Sequence, residues 1–142
     1  MEIATGYFAR AKHYADDGFC LVSIAKVSPW FLPKGFKLHS IQSLAPTEEI
    51  LKLKGRPDEY EKRYREEILS NLSAKDICGE LERTASADCL DKVVLLCYES
   101  PEKFCHRHIV AKWLSEKTCV PIKEVVLHLR PAYDIFDSDS LA

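Results

Sequence analysis

The residue types best suited to chemistry crowd into one stretch, Leu95-Leu96-Cys97-Tyr98-Glu99-Ser100-Pro101-Glu102-Lys103-Phe104-Cys105-His106-Arg107-His108. A thiol at a helix start beside His and Arg has a lowered pKa, so Cys105 is the first candidate nucleophile and Cys97 the second. His106 or His108 would carry a proton near neutral pH. Arg107 offers a planar two-pronged donor for phosphate or carboxylate, and free N–H groups at a helix start favour the same anion. Lys26 is a further anion clamp, and Tyr7, Tyr98 and Glu99 are the candidates for positioning a substrate.

The same side chains admit a different use, since thiolate and imidazole suit zinc or iron and the set Cys97, Cys105, His106 and His108 could hold either. Their spacing differs from the short Cys pairs of zinc ribbons. Consecutive helical side chains diverge by about 100°, so Cys105, His106 and Arg107 share one pocket only if the helix begins after them. An inert reading stands beside both: Cys97 as a small core residue, Cys105 as a buried cap, and His and Arg paired with carboxylates.

Positioning these groups requires a strand that ends at Cys97 and a helix that follows. Val93 to Cys97 is the most strand-like run in the chain, and a helix is expected from about Cys105 to Lys117, with Ile109, Val110, Trp113 and Leu114 inward. Glu2 to Ala9 and Phe19 to Ala25 read as earlier strands, and their continuous apolar character suits a sheet covered on both faces. Pro29, Pro33, Gly35 and Pro46 break any period between Ser28 and Pro46, which reads as a long loop anchored by Trp30, Phe31 and Phe36. Thr47 opens a short helix ending near Gly55. Pro57 opens a second helix to about Leu72 with an inward stripe of Tyr60, Tyr64, Ile68 and Leu72 and a solvated charged face. Ser73 caps a third helix through Ile77 and Leu81, Thr84 to Asp91 reads as a loop, and Val125 to Leu129 as the last strand. This order predicts one α/β domain over residues 1–131, three-layered, with a largely parallel central sheet flanked by helices. Residues 132–142 read as an acidic tail whose likeness to other chain termini points to disorder.

With 142 residues, 46% hydrophobic and 30% charged, the chain suits one globular domain with an ordinary core. Its 20 basic and 22 acidic residues leave a formal charge of −2, without the global basic excess of a nonspecific nucleic-acid binder. No segment reaches the roughly 20 apolar residues of a membrane span, and MEIATGYFAR has no basic flank leading into an apolar run. A cytoplasmic location is expected, with the six cysteines mostly reduced and no disulfide framework.

The string LLCYE, a short loop and FCHRHIVAKWL together resemble the family catalogued as domain of unknown function 488, whose signature is Leu-Cys-Tyr-Glu at a strand end followed by Cys-His-Arg opening a helix. Gly6-Tyr7-Phe8-Ala9, Val22-Ser23-Ile24-Ala25-Lys26, Leu44-Ala45-Pro46 and Tyr60 to Leu72 resemble further segments of it. The resemblance implies an intracellular α/β protein in which the positions of Cys97, Tyr98, Glu99, Cys105, His106 and Arg107 form the shared cluster. It implies no particular reaction. Many members carry Asp-x-Arg after the second strand where this chain has Ala25-Lys26-Val27-Ser28, and Lys26 replaces an Arg charge without its fork.

Three functions are therefore weighed. The first is an enzyme acting on an anionic metabolite, nucleotide or nucleic-acid component through the Cys/His/Arg cluster. A metal-binding or redox-sensing protein using the same side chains is the second. The third is an interaction domain presenting the Trp30-Phe31 loop and the tail.

Overall fold

A computed structural model describes residues 1–29, 32 and 36–126. Trp30 and Phe31, most of the expected last strand, and the tail at 132–142 lie outside the described residues. The chain forms a five-stranded sheet in the order β3-β2-β4-β1-β5. Its strands are β1 (Glu2–Tyr7), β2 (Cys20–Ser23), β3 (Leu38–Ser40), β4 (Lys92–Cys97) and β5 (Lys123–Glu124), and every pairing is parallel. Among the described residues the α-helices are α1 (Ala11–Asp16), α2 (Glu48–Leu51), α3 (Pro57–Glu67), α4 (Ala74–Ala87) and α5 (His106–Thr118). This is the expected α/β domain with a parallel sheet. Among the described residues no helix is long and apolar enough to cross a membrane.

Parallel strands need long crossovers, and those crossovers are right-handed, so the direction of each along the sheet decides which face its helix covers. The β1-to-β2 connection runs one way; β3-to-β4 and β4-to-β5 run the other. This places α1 on one face and α2 to α5 on the opposite one. All four residues of β2 and the last five of β4 are buried, as central strands covered on both faces must be. Val93, Val94, Leu95 and Leu96 are wholly buried, with Leu81, Ala85, Val110 and Leu114 from α4 and α5 in the same core.

Local chemistry sets the helix ends. Thr47 Oγ1 accepts from the Ile50 N–H and Ser73 Oγ from the Asp76 N–H, capping α2 and α4. Tyr60 and Tyr64 are buried as the stripe requires, but α3 stops at Glu67 and a 3-10 turn over Leu69–Asn71 buries Leu69 instead, leaving Ile68 and Leu72 half-buried. On its outer face Arg63 pairs with Glu49 and Glu67, and Arg65 with Glu61 and Glu116, which agrees with a solvated charge cluster.

Three boundaries differ from expectation. β3 lies within the stretch assigned to loop, because three edge residues after Pro33 and Gly35 are too few to show a period. α4 continues through the expected loop at Thr84 to Ala87, since the Thr84 hydroxyl bonds to Glu80 O and Ala85 is buried, so the polar composition sits on a helix flank. Among the described residues the last strand is Lys123–Glu124, and Val125 and Val126 follow it outside the strand, while 127–129 of the expected strand lie outside the described residues.

Gly6, in β1, is where the backbone passes closest to a large side chain. A Cβ there would sit 2.6 Å from ring carbons of Tyr14, which is wholly buried on α1. Because the ring is wedged in the core, Gly6→Ala is expected to destabilise the fold by about 1–3 kcal/mol in urea titration. An unchanged midpoint would mean that Tyr14 can move aside.

Candidate functional site

A cavity of about 190 Å³ opens at the carboxyl ends of β2 and β4. Here β2 sends the chain outward to β3 while β4 sends it the opposite way to β5, which makes this crevice the switch point where open α/β sheets bind ligands. Ala25, Lys26 and Val27 follow β2 into its wall. Cys97, Tyr98 and Glu99 enter at the end of β4, and Phe104, Cys105 and His106 at the start of α5. Pro46, Leu51, Lys54 and Tyr60, from around α2 and from α3, complete it.

Cys97, Tyr98, Glu99, Cys105, His106 and Lys26 meet in one place. Arg107, Tyr7 and His108 do not line this cavity. The division follows from helix geometry: Cys105 is the N-cap, in extended conformation, and His106 the first helical residue, so Arg107 is turned away toward β1 and β5.

The sulfurs of Cys97 and Cys105 are bonded to each other, with Cα atoms 7.5 Å apart. This corrects the expectation of reduced thiols for this pair, while Cys20, Cys78, Cys89 and Cys119 are free. The physical reason is the return of the chain: the loop from Tyr98 to Phe104 folds back on β4, so a cysteine at the strand end and one at the helix cap face the same space.

His106 is 6% exposed, and its Nε2 lies 2.8 Å from Ile24 O. A carbonyl oxygen only accepts, so the proton is on Nε2 and Nδ1 keeps its lone pair, 4.0 Å from Cys105 Sγ. Burial, opposed by the Ile24 hydrogen bond and reinforced by the Arg107 charge, pushes the imidazole pKa down to about 4. A proton carrier near neutral pH was expected at this position; the buried ring is instead a neutral acceptor directed at Cys105. The Tyr64 ring packs edge-on against it at 5.6 Å.

Arg107 is wholly buried. Its Nε and Nη2 donate to the two carboxylate oxygens of Glu124 at 3.1 and 2.8 Å, and Nη1 donates to Cys97 Sγ at 3.3 Å. The fork expected to grip a substrate anion is thus engaged by the protein's own carboxylate, because an unpaired buried charge would cost several kcal/mol. Burial alone would raise the Glu124 pKa; hydrogen bonds from Arg107 and Thr5 outweigh it and hold the carboxyl below its ordinary value. Thr5 Oγ1 donates to Glu124 Oε1 at 2.6 Å. The Tyr7 ring lies 5.9 Å from the guanidinium, and its hydroxyl accepts from Arg10 Nε. His108 is half-buried with Nε2 unpartnered, and burial lowers its pKa.

Two ammonium groups serve the cavity. Lys26 Nζ stands 3.1 Å from Glu48 and Lys54 Nζ 2.9 Å from Glu99, both pairs open enough to water for an incoming anion to compete. The hydrogen bond from Lys54 holds the Glu99 carboxyl below its ordinary pKa. Tyr98 donates its hydroxyl to Val27 O at 2.6 Å, bridging the segments that follow β2 and β4. Cys97, Cys105 and His106 also present donor atoms within 4.8 Å of one another, a geometry that suits a metal only once the two sulfurs are separated by reduction. His108 is not in that group.

Sequence reasoning missed Lys54, Tyr60 and Phe104 as cavity walls and Glu124 as the partner of Arg107. Tyr60 stood in the helical stripe and was read as core. For Lys54 and Glu124 no local pattern exists.

The family model described as "Active DUF488-N3 subclade", DUF488-N3a, matches residues 10–118, which contain both the Leu-Cys-Tyr-Glu and the Cys-His-Arg elements. No curated protein and no solved structure matches the chain. With the family model covering most of its length and all of the signature residues but Leu96 and Arg107 at the cavity, the chain belongs to the DUF488 family, in its DUF488-N3a subclade.

Proposed function

We propose that this protein is a thiol enzyme acting on an anionic small molecule or nucleotide component in the cavity at the switch point. The observation that carries the reading is the meeting of Cys97, Cys105 and His106 on one cavity wall. The word "Active" in the description of its subclade points the same way. Arg107 serves the thiol rather than the substrate: donating to Cys97 Sγ, it favours the thiolate there, which makes Cys97 the nucleophile and Cys105 its partner. His106 accepts a hydrogen bond from the Cys105 thiol through Nδ1. Lys26 and Lys54 attract the anion, and the apolar lining that Tyr60 and Phe104 give the cavity suits an apolar portion of the substrate. The enzyme works with both thiols reduced. A dithiol reductant delivers two electrons and two protons to the bonded pair, giving two thiols here and a disulfide on the reductant.

The experiment is alkylation of the reduced protein by iodoacetamide, mapped by mass spectrometry, with and without adenosine monophosphate, ribose 5-phosphate or inorganic phosphate. Protection of Cys97 and Cys105 by at least one of them, weakened by Lys26→Met with Lys54→Met, is expected. The bonded pair also favours a redox-sensing role in the same cavity. Reversible thiol oxidation with no protection by any of the three anions would select sensing over the enzyme.

A further inference from the structure

At the opposite end of β2 from the cavity, Cys20, His39 and Asp88 bring together a thiol, an imidazole and a carboxylate whose donor atoms all lie within 4.8 Å of one another. They come from three elements distant in sequence: the first residue of β2, the middle of edge strand β3 and the residue that caps the end of α4. The strand register explains the meeting. Val22 pairs with His39, so Cys20, two residues before Val22, projects from the same face as His39, and that is the face α4 covers. Cys20 is 2% exposed, whereas the side chains of His39 and Asp88 are 28% and 13% exposed, so the cluster has a buried floor and reaches solvent on the His39 side.

We propose that Cys20, His39 and Asp88 form a second site, for a divalent cation of the zinc class, held by three protein ligands with the fourth position open to solvent. Thiolate, imidazole and carboxylate are ligand types that zinc takes, and three protein donors with one position left to water is the arrangement of open rather than closed structural sites. Zinc's bond lengths set ligand atoms roughly 3.3–3.8 Å apart, so shifts of about 1 Å or less close the cluster on an ion. His39 Nε2 and Asp88 Oδ2 are now 2.7 Å apart across a shared proton, and the metal takes that proton's place while the imidazole proton moves to the other ring nitrogen. The Cys20 thiol releases its proton to water. Thiolate and carboxylate then balance the ion's two charges. Lys37, which now neutralises Asp88 and whose side chain is 70% exposed, is free to swing into solvent.

The test is cobalt(II) titration of protein carrying Cys97→Ser and Cys105→Ser, which removes the cavity thiols, under reductant and after chelator treatment. One bound cobalt per chain with an intense thiolate-to-metal charge-transfer band is expected, displaced by equimolar zinc. The band should vanish in Cys20→Ser and survive Cys78→Ser, Cys89→Ser and Cys119→Ser. If Cys20→Ser does not fold, His39→Gln carries the test, since its ring lies at the solvent side of the cluster and its loss should weaken binding and shift the visible bands. Absence of a thiolate band, or a band indifferent to His39→Gln and to Cys20→Ser, overturns the proposal and leaves an ordinary ion-pair cluster. None of these readouts involves the cavity, so the outcome is independent of the enzyme reading.

Discussion

Lowering the pH from 7 to 4 is expected to destabilise the fold by about 3 kcal/mol through His106 alone. The ring's pKa is about 4 in the folded chain and about 6.5 in the unfolded one, and each unit of difference is worth about 1.4 kcal/mol. Because the folded value is the lower, the contribution is whole above the unfolded pKa. It drains away as the pH falls toward 4, where the unfolded chain takes up a proton that the native imidazole refuses. His108, lowered by its own burial, acts in the same direction. Urea titrations between pH 4 and 7 on the wild type and on His106→Gln isolate the effect: the wild-type curve should fall more steeply. Parallel curves would show that the ring titrates normally in the native state. NMR titration of the same ring should show no protonation between pH 5.5 and 7.5.

Glu124→Gln is expected to cost about 3–5 kcal/mol at neutral pH. The amide keeps the shape of the carboxylate but not its charge, and it leaves a wholly buried Arg107 with one neutral amide oxygen, Cys97 Sγ and the Tyr7 ring as its partners. Acid should reproduce part of this loss in the wild type. The Glu124 carboxyl sits below its ordinary pKa in the native chain, so the stability it confers is present above roughly pH 4.3 and declines as the pH falls through the lowered native value. Chemical denaturation of Glu124→Gln against wild type provides the check. A loss under 1 kcal/mol would mean that water reaches Arg107 and that the pair is ordinary surface chemistry.

The centre of the candidate site was legible because its signals are local. Val93 to Cys97 is a continuous apolar run, Pro101 marks the loop, and Ile109, Val110, Trp113 and Leu114 recur at helical spacing, so a strand end facing a helix start follows from the sequence. The 100° divergence of neighbouring helical side chains explains the separation of His106 from Arg107, which the sequence reading places in the same pocket. What could not be read depended on distant chain segments. Glu124 reaches Arg107 only because β5 lies beside β1, a pairing that no residue near Arg107 encodes. The bond between Cys97 and Cys105 depends on how the intervening loop folds back, and a separation of 8 residues carries no such signal. His106 was misjudged for the same reason: a pKa set by burial requires knowing what covers the ring, here Tyr64, Ile24 and the helix itself. Short elements were lost for want of period, α1 with six residues and β3 with three.

The central claim is that Arg107 and the start of α5 hold a reactive thiolate on Cys97 at the cavity wall, and the pH dependence of alkylation tests it most directly. The fully reduced chain is exposed to limiting iodoacetamide from pH 5 to 10, and modification of each cysteine is followed by mass spectrometry. Cys97 should react with a midpoint clearly below the ordinary thiol value of about 8.5, and ahead of Cys20 and Cys78, whose pKa values burial raises. Reaction of both Cys97 and Cys105 only above roughly pH 8.5 would contradict the account.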